Sequence, residues 1–342
     1  MKAVIIHAPH DLRVEDRQTP VAGPGQVQVR IRAGGICGSD LHYYHQGGFG
    51  TVRIKQPMTL GHEIAGTVSA VGEGVTRVKL GQSVAVNPSL PCNACRFCLA
   101  GQQQHCLDMR FYGSAMRFPH IQGGFSETLV CEEIQAVPAD MPVERAAFAE
   151  PLAVCLHAAH QAGNLAGQRV LITGAGPIGQ LLILVARNNG AAEIVATDLT
   201  PEPLAMARRL GADHALDMRT NPDALAPYTA NKGTFDTVFE ASGSGIALAG
   251  ALTAIRPGGT LIQVGMGPAE TPVPLNTIVA KEITYRGTFR FHHEFEQAVA
   301  LLASGRIDVA PLLTEIIPID DAIRAFTLAS DRSKAMKVQL SF

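Results

Sequence analysis

The tightest constraint on this chain is a strand that runs into a glycine-spaced turn and leaves it as a helix. Arg169-Val170-Leu171-Ile172-Thr173 is an apolar, β-branched run, Gly174-Ala175-Gly176-Pro177-Ile178-Gly179 follows at once, and Pro177 to Asn188 reads as a helix. A second strand, Glu193 to Thr197, ends at Asp198, 19 residues after Gly179. Taken alone, the glycine spacing also fits a Gly-rich turn with no ligand. Between a strand and a helix it is more specific. Gly174 allows a tight turn, Gly176 lets the backbone approach a pyrophosphate, and Gly179 lets helix pack on strand. Pro177 suits the first helical turn, and the helix opening at Pro177 and Ile178 turns its free N–H groups toward phosphates. A carboxylate at Asp198 can accept hydrogen bonds from adenosine ribose hydroxyls and repel a 2′-phosphate. NAD is therefore favoured; NADP stays open because Arg208 and Arg209 could line the ribose rim. Val264, Gly265 and Met266, after a later strand, are further candidate cofactor contacts.

The alternation continues past this unit. A helix is expected from Pro203 to Leu210, and strands at about 213–217, 235–240, 259–264 and 282–286. Strands that alternate with helices build a parallel sheet covered on both faces, a doubly wound Rossmann domain. The first third has a different texture, with short strands broken by Gly and Pro. Met1 to His7 opens as a strand, Gln26 to Arg32 alternates at period two, and Glu63 to Val71 and Gln82 to Val86 are similar. A helical stretch from Ala146 to Ala162 joins the two regions. A helix near Glu294 to Ser304 and a strand from Met336 to Leu340 end the chain. The fold class is thus α/β, with one β-rich and one Rossmann domain, and 342 residues suffice for both. A net charge of −2 offers no basic field to nucleic acid or an anionic membrane. The apolar run Leu181 to Ala186 is far short of the roughly 20 residues that span a bilayer, and the start lacks the pattern of a signal peptide. A cytoplasmic location is expected.

Seven cysteines in such a setting are poor evidence for disulfides, and four of them crowd into one loop. Cys92-x2-Cys95-x2-Cys98-x7-Cys106 suits a closed tetrahedral zinc site that holds a lobe with little apolar core. An iron–sulfur cluster is the rival, but its bacterial spacing ends in x3-Cys-Pro; here the last spacing is seven and Leu107 follows. Cys131 and Cys155 read as buried small hydrophobes.

A second set of potential ligands is scattered: Cys37 in Gly35-Ile36-Cys37-Gly38-Ser39-Asp40-x-His42, His62 and Glu63 in Gly61-His62-Glu63-x2-Gly66-x-Val68, and Glu150 in Glu150-Pro151-Leu152-Ala153-Val154. Spacing cannot define this site. With the cysteine lobe and the glycine turn, however, these motifs stand in an order that resembles the zinc-dependent medium-chain dehydrogenase/reductase superfamily over essentially the whole chain. The Glu150 motif is similar to the polyol (sorbitol-type) branch, where the ethanol-oxidising branch carries a cysteine ligand instead. Asn87-Pro88-Ser89, Asp108 to Met116, Phe118-Pro119-His120 and Gly287-x-Phe289-Arg290-Phe291 resemble members of that branch that act on sugar acids.

The resemblance implies a GroES-like catalytic domain over 1–148 and 288–342, with a structural zinc lobe at 88–110, and a Rossmann domain over 149–287. It implies two Zn2+ per chain and NAD. Cys37 and His62 would hold the catalytic ion, Glu63 would be a third ligand, and Glu150 would bind it directly or through water. Read from the residues alone, Glu63 could instead support the site from behind, because strand neighbours point to opposite sides. Ser39 would take the alcohol proton and pass it through the nicotinamide ribose to His42, whose ordinary pKa of about 6.5 suits the solvent end. Ser39 also fits a helix N-cap, and Asp40 would orient the His62 ring. On the substrate side, Arg290 after Phe289 could clamp a carboxylate; Tyr43, Arg110, Arg117 and His120 are further candidates. The implied partners are a small sugar acid or polyol and other copies of the chain, in a homotetramer paired through Rossmann sheet edges.

Overall fold

The computed structural model describes residues 1–268 and 270–342. They form two compact units: Met1–Ala153 with His292–Asp331 and Lys337–Phe342, and Val154–Phe291 with Arg332–Met336. The division falls inside the helix Ala149–Ala162, a few residues beyond the boundary expected after residue 148.

The first unit is β-rich. Its seven-stranded sheet runs Ala136–Pro138, Ser83–Val86, Glu63–Val71, Gln26–Gly35, Lys337–Ser341, Leu313–Pro318, with Thr128–Glu132 also paired to Gln26–Gly35. Alternation makes the long strand: Val27, Val29 and Ile31 are buried while Arg30 and Arg32 are exposed. The C-terminal strand returns to this sheet with Gln339 opposite Gly35, which brings residue 337 beside residues 36 and 63.

The second unit has an all-parallel sheet of six strands, in the order His214–Asp217, Glu193–Asp198, Arg169–Thr173, Phe235–Glu240, Ile255–Gln263, Thr284–Gly287. Strand order reverses between Arg169–Thr173 and Phe235–Glu240, the doubly wound arrangement whose switch point receives dinucleotides. Leu171, Val238 and Leu261 are wholly buried, as both faces of a covered parallel sheet require.

Three elements differ from expectation. The helix expected over 146–162 is broken into Val143–Ala146 and Ala149–Ala162. The strand expected at about 259–264 begins earlier, as Ile255–Gln263, and runs through Pro257-Gly258-Gly259. Gly245–Ala254 forms a helix whose small and apolar residues give no one-sided periodicity. Among the described residues no helix is long and apolar enough to cross a membrane.

Candidate active site

Two chain segments of the first unit bring the scattered ligands together. The strand Gln26–Gly35 delivers Cys37 to the N-cap of the helix Gly38–Gln46. Ser39 is therefore inside the helix and not its cap. The strand Glu63–Val71 begins just past Gly61, which has φ +94° and lies so close to Phe125 that a Cβ would sit 2.1 Å from its ring. Asp40, fully buried, ties the two segments: it accepts the Cys37 N–H at 3.0 Å and the Gly61 N–H at 3.3 Å. Its nearer oxygen is 3.9 Å from His62 Nδ1, too far for a hydrogen bond. Asp40 thus fixes the backbones that carry Cys37 and His62, and the orienting bond expected to the ring is not made.

The Cys37 sulfur, a ring nitrogen of His62 and a carboxylate oxygen of Glu63 all lie within 4.8 Å of one another. Glu63 also has a partner that the sequence does not announce. Lys337 Nζ donates to both its oxygens, at 2.7 and 2.8 Å, and to the Ile36 carbonyl at 3.2 Å, with both side chains buried. Each carboxylate oxygen keeps lone pairs for a further ligand. Glu150 is buried at the start of the helix Ala149–Ala162 and lies outside that tight triplet, yet within electrostatic reach of it.

The electrostatics ask for more positive charge. Burial pushes the Cys37 thiol up to about 12, and the Glu63 carboxylate pushes the same way. Burial raises the Glu150 carboxyl to about 8; His62 and Lys337 pull it down while Cys37 and Glu63 push it up. Among the described residues, Glu63, Cys37 and Glu150 act on the buried Lys337 ammonium, and His62 Nδ1 has no hydrogen-bond partner. A dication with affinity for sulfur, nitrogen and oxygen fits this donor set.

On the same helix, the Ser39 side chain draws the Cys37 thiol down slightly against the larger upward push of burial. His42, one turn on and half-buried, has its ring 6.0 Å from Phe49. Tyr43 is buried and its hydroxyl accepts the Ala115 N–H at 3.0 Å, so it serves the packing of this unit. His120 is also committed: Nε2 accepts the Lys55 N–H and Nδ1 faces the Arg117 carbonyl, which fixes the proton on Nδ1.

The four cysteines of the loop converge as their spacing requires. Their sulfurs lie within 4.8 Å of one another, with Cys95–Cys98 at 3.6 Å and Cys92–Cys98 at 4.0 Å. Tetrahedral Zn–S bonds of about 2.3 Å need sulfurs ~3.8 Å apart, whereas a disulfide needs about 2.05 Å. Backbone N–H groups point at the sulfurs: Cys92 N lies 3.1 Å and Asp108 N 3.3 Å from Cys106 Sγ, and Cys95 N lies 3.3 Å from Cys92 Sγ. Such bonds from Cys98 and Leu107 lower Cys95 to about 6, while burial raises Cys98 to about 12.

In the second unit, Gly174 has φ +88° and a Cβ there would lie 2.8 Å from Ser242 N. A Cβ on Gly179 would lie 1.9 Å from the Gly174 carbonyl, while one on Gly176, the N-cap of the helix Pro177–Asn188, would meet open space. That open backbone at a helix N-terminus, beginning with Pro177 and Ile178, fits a diphosphate. Asp198 Oδ2 accepts the Ala175 N–H at 2.7 Å, and Oδ1 accepts Leu199 N–H at 2.7 Å and Thr200 N–H at 3.0 Å. The carboxylate is pinned against the glycine turn with lone-pair capacity left on Oδ2. Arg208, a candidate for the ribose rim, donates instead to the Ala215 carbonyl at 2.6 Å. Val264 and Gly265 donate their N–H groups to the Glu240 carbonyl, and Met266 is exposed. Arg290 has φ +53°, and its guanidinium lies 5.0 Å from the centre of the partly exposed Phe289 ring.

A β-rich unit with one thiolate-rich lobe and one mixed thiol–imidazole–carboxylate centre, plus a Rossmann unit, defines a zinc-dependent alcohol-type dehydrogenase. The chain belongs to the zinc-dependent medium-chain dehydrogenase/reductase superfamily. Residues 23–142 match the alcohol dehydrogenase GroES-like domain and residues 177–304 match the zinc-binding dehydrogenase domain. Over 316 residues, 92% of this chain and 91% of the relative, it is 46% identical to L-idonate 5-dehydrogenase (NAD(P)(+)) of Escherichia coli strain K12. It is 35% identical over 347 residues to sorbitol dehydrogenase of Gallus gallus, covering 99% of this chain and 95% of that one. The crystal structure of L-idonate 5-dehydrogenase from Escherichia coli K-12 matches it with TM-score 0.96 at 42% identity, over 100% of this chain and 98% of the other. The protein is an oxidoreductase that acts on a CH–OH group with zinc and a nicotinamide dinucleotide.

Proposed function

We propose that this enzyme oxidises the C5 hydroxyl of L-idonate to 5-keto-D-gluconate, reversibly, with NAD as the preferred coenzyme. The observation that carries this substrate is the 46% identity to an L-idonate 5-dehydrogenase, against 35% to sorbitol dehydrogenases of comparable coverage. NAD over NADP is supported by the carboxylate of Asp198, held facing the glycine turn by three backbone N–H groups.

Two zinc ions per chain are proposed, one held by Cys92, Cys95, Cys98 and Cys106, the other by Cys37, His62 and Glu63. Glu150, the buried carboxyl at the rim of that triplet, would act on the second ion directly or through water. When bound, the second zinc would supply Lewis acidity toward the substrate hydroxyl and the coenzyme a hydride acceptor. The chain's own residues do the rest. Lys337 offsets the Glu63 charge and holds its carboxylate still. The Ser39 hydroxyl would accept the substrate's proton as it gives up its own, and His42, three residues on along one helix face, would carry the released proton toward solvent. The Arg290 guanidinium, supported by Phe289, binds the sugar-acid carboxylate; Tyr43 shapes the neighbouring wall. Val264, Gly265 and Met266 flank the coenzyme. A homotetramer and a cytoplasmic location complete the proposal.

An NAD-coupled screen of L-idonate, D-gluconate, sorbitol and xylitol tests the substrate, with wild type and Arg290→Ala side by side. L-idonate should give the highest kcat/KM, and the variant should lose about tenfold or more on the aldonates but little on the polyols. A higher kcat/KM on sorbitol or xylitol would make this a neutral-polyol enzyme. Ser39→Ala should lower kcat by about 10²-fold or more with zinc content intact; an unchanged kcat would remove Ser39 from proton transfer.

A further inference from the structure

At the switch point of the Rossmann sheet one fully buried carboxylate gathers three loops. Glu240 is the last residue of the strand Phe235–Glu240, beside the glycine turn. Its Oε1 accepts the Ser242 N–H at 2.9 Å, the Thr173 hydroxyl at 3.2 Å and the Ser242 hydroxyl; its Oε2 accepts the Gly243 N–H at 3.0 Å and the Gln263 side-chain N–H. Gln263 Nε2 also donates to the Gly265 carbonyl at 2.7 Å. The Glu240 carbonyl accepts the Val264 N–H at 2.8 Å and the Gly265 N–H at 2.7 Å. The loops so collected touch backbone to backbone. A Cβ on Gly265 would lie 2.3 Å from Gly243 N, one on Gly243 2.5 Å from the Met266 carbonyl, and one on Gly174 2.8 Å from Ser242 N.

We infer that Glu240 is a positioning residue for the coenzyme: it fixes segments 241–243 and 263–266 against the glycine turn, so that the dinucleotide meets a preformed floor. The inference rests on the reading of the glycine turn as a dinucleotide site. Its physical basis is the polarity of the donors. Five N–H or O–H groups converge on one side chain, and a carboxylate is the only side chain of that size that accepts on both arms. In Glu240→Gln the amide NH2 must face one arm or the other. Either way it opposes a main-chain N–H that cannot turn round, Ser242 on one arm or Gly243 on the other, whereas the hydroxyls of Thr173 and Ser242 can rotate. The buried conflict is relieved only by moving one of the loops.

The test is NADH binding by fluorescence together with steady-state kinetics, on wild type, Glu240→Gln and Gln263→Met. Glu240→Gln should weaken NADH binding and raise KM for NAD by about tenfold or more. Gln263→Met, which keeps the chain length but drops the link from Glu240 to Gly265, should raise both by several-fold. In each variant kcat at saturating NAD should fall less than kcat/KM for NAD, and zinc content should stay at the wild-type value. A merely structural loss would lower the active fraction and leave KM unchanged. Should Glu240→Gln not fold, Gln263→Met alone decides, and wild-type NADH affinity in that variant overturns the proposal. Wild-type affinity in both would overturn it as well. Failure of the wild-type protein to bind NADH would instead overturn the reading of the glycine turn, and this proposal with it.

Discussion

The lobe with four cysteines and the centre at Cys37 hold thiols for opposite reasons. In the lobe, four sulfurs come from one stretch of 15 residues, and the loop wraps them with its own N–H groups. Leu99 and Leu107 remain exposed there, so the proposed zinc would have to supply order that apolar burial does not. At Cys37 the donors come from distant parts of the chain: Asp40 ties the two backbones that carry Cys37 and His62, and Lys337 holds Glu63 across 274 residues of sequence. On the proposed zinc assignment, the lobe would be organised by its ion. The other centre is organised by the sheet, and a donor set assembled that way can leave a coordination position open for chemistry.

The comparison breaks most visibly at Cys37. Cys37→Ser should lose about 10³-fold or more in kcat/KM, because stabilisation worth several kcal/mol goes with the ion. The thermal transition should move little, since the sheet remains. A large drop in Tm with activity per folded molecule preserved would reverse the assignment of the two centres. Lys337→Met sharpens the contrast. Removing one partner of a buried pair costs about 3–5 kcal/mol, and that loss should appear in full only in chelated protein, since a dication can replace the ammonium beside Glu63. Equal losses of Tm with and without chelator would mean that no ion reaches Glu63. The smallest effect on turnover is expected for Cys98→Ser. One zinc should be lost and Tm should fall, by roughly 2–4 °C per kcal/mol for a unit of this size. The rate of the molecules that remain folded should stay within about twofold of wild type.

The same contrast explains what could be read in the sequence. The lobe and the glycine turn are local constructions: cysteine spacing points to the first, and glycine spacing set between a strand and a helix points to the second. Pro177 to Asn188 and Phe235 to Glu240 also lie where their periodicity puts them. Cys37, His62 and Glu63 needed family resemblance, because nothing local joins residue 37 to residue 62. Lys337 left no signal at all: it is one lysine in a short C-terminal strand, and only the pairing of that strand with Gln26–Gly35 turns it onto Glu63. The helix Gly245–Ala254 escaped because Ala, Gly and Leu around its whole surface carry no one-sided stripe. Glu240 escaped for a different reason. A single acid at a strand end is common, and its value here comes from five donors supplied by three loops.

Zinc-edge X-ray absorption on the chelator-free protein tests the open, sheet-built metal centre most directly. The account predicts two zinc ions per chain, with an average of about 2.5 sulfur and about 1.5 nitrogen or oxygen neighbours per ion. A single zinc with about four sulfur neighbours, in protein that still turns over, would contradict it.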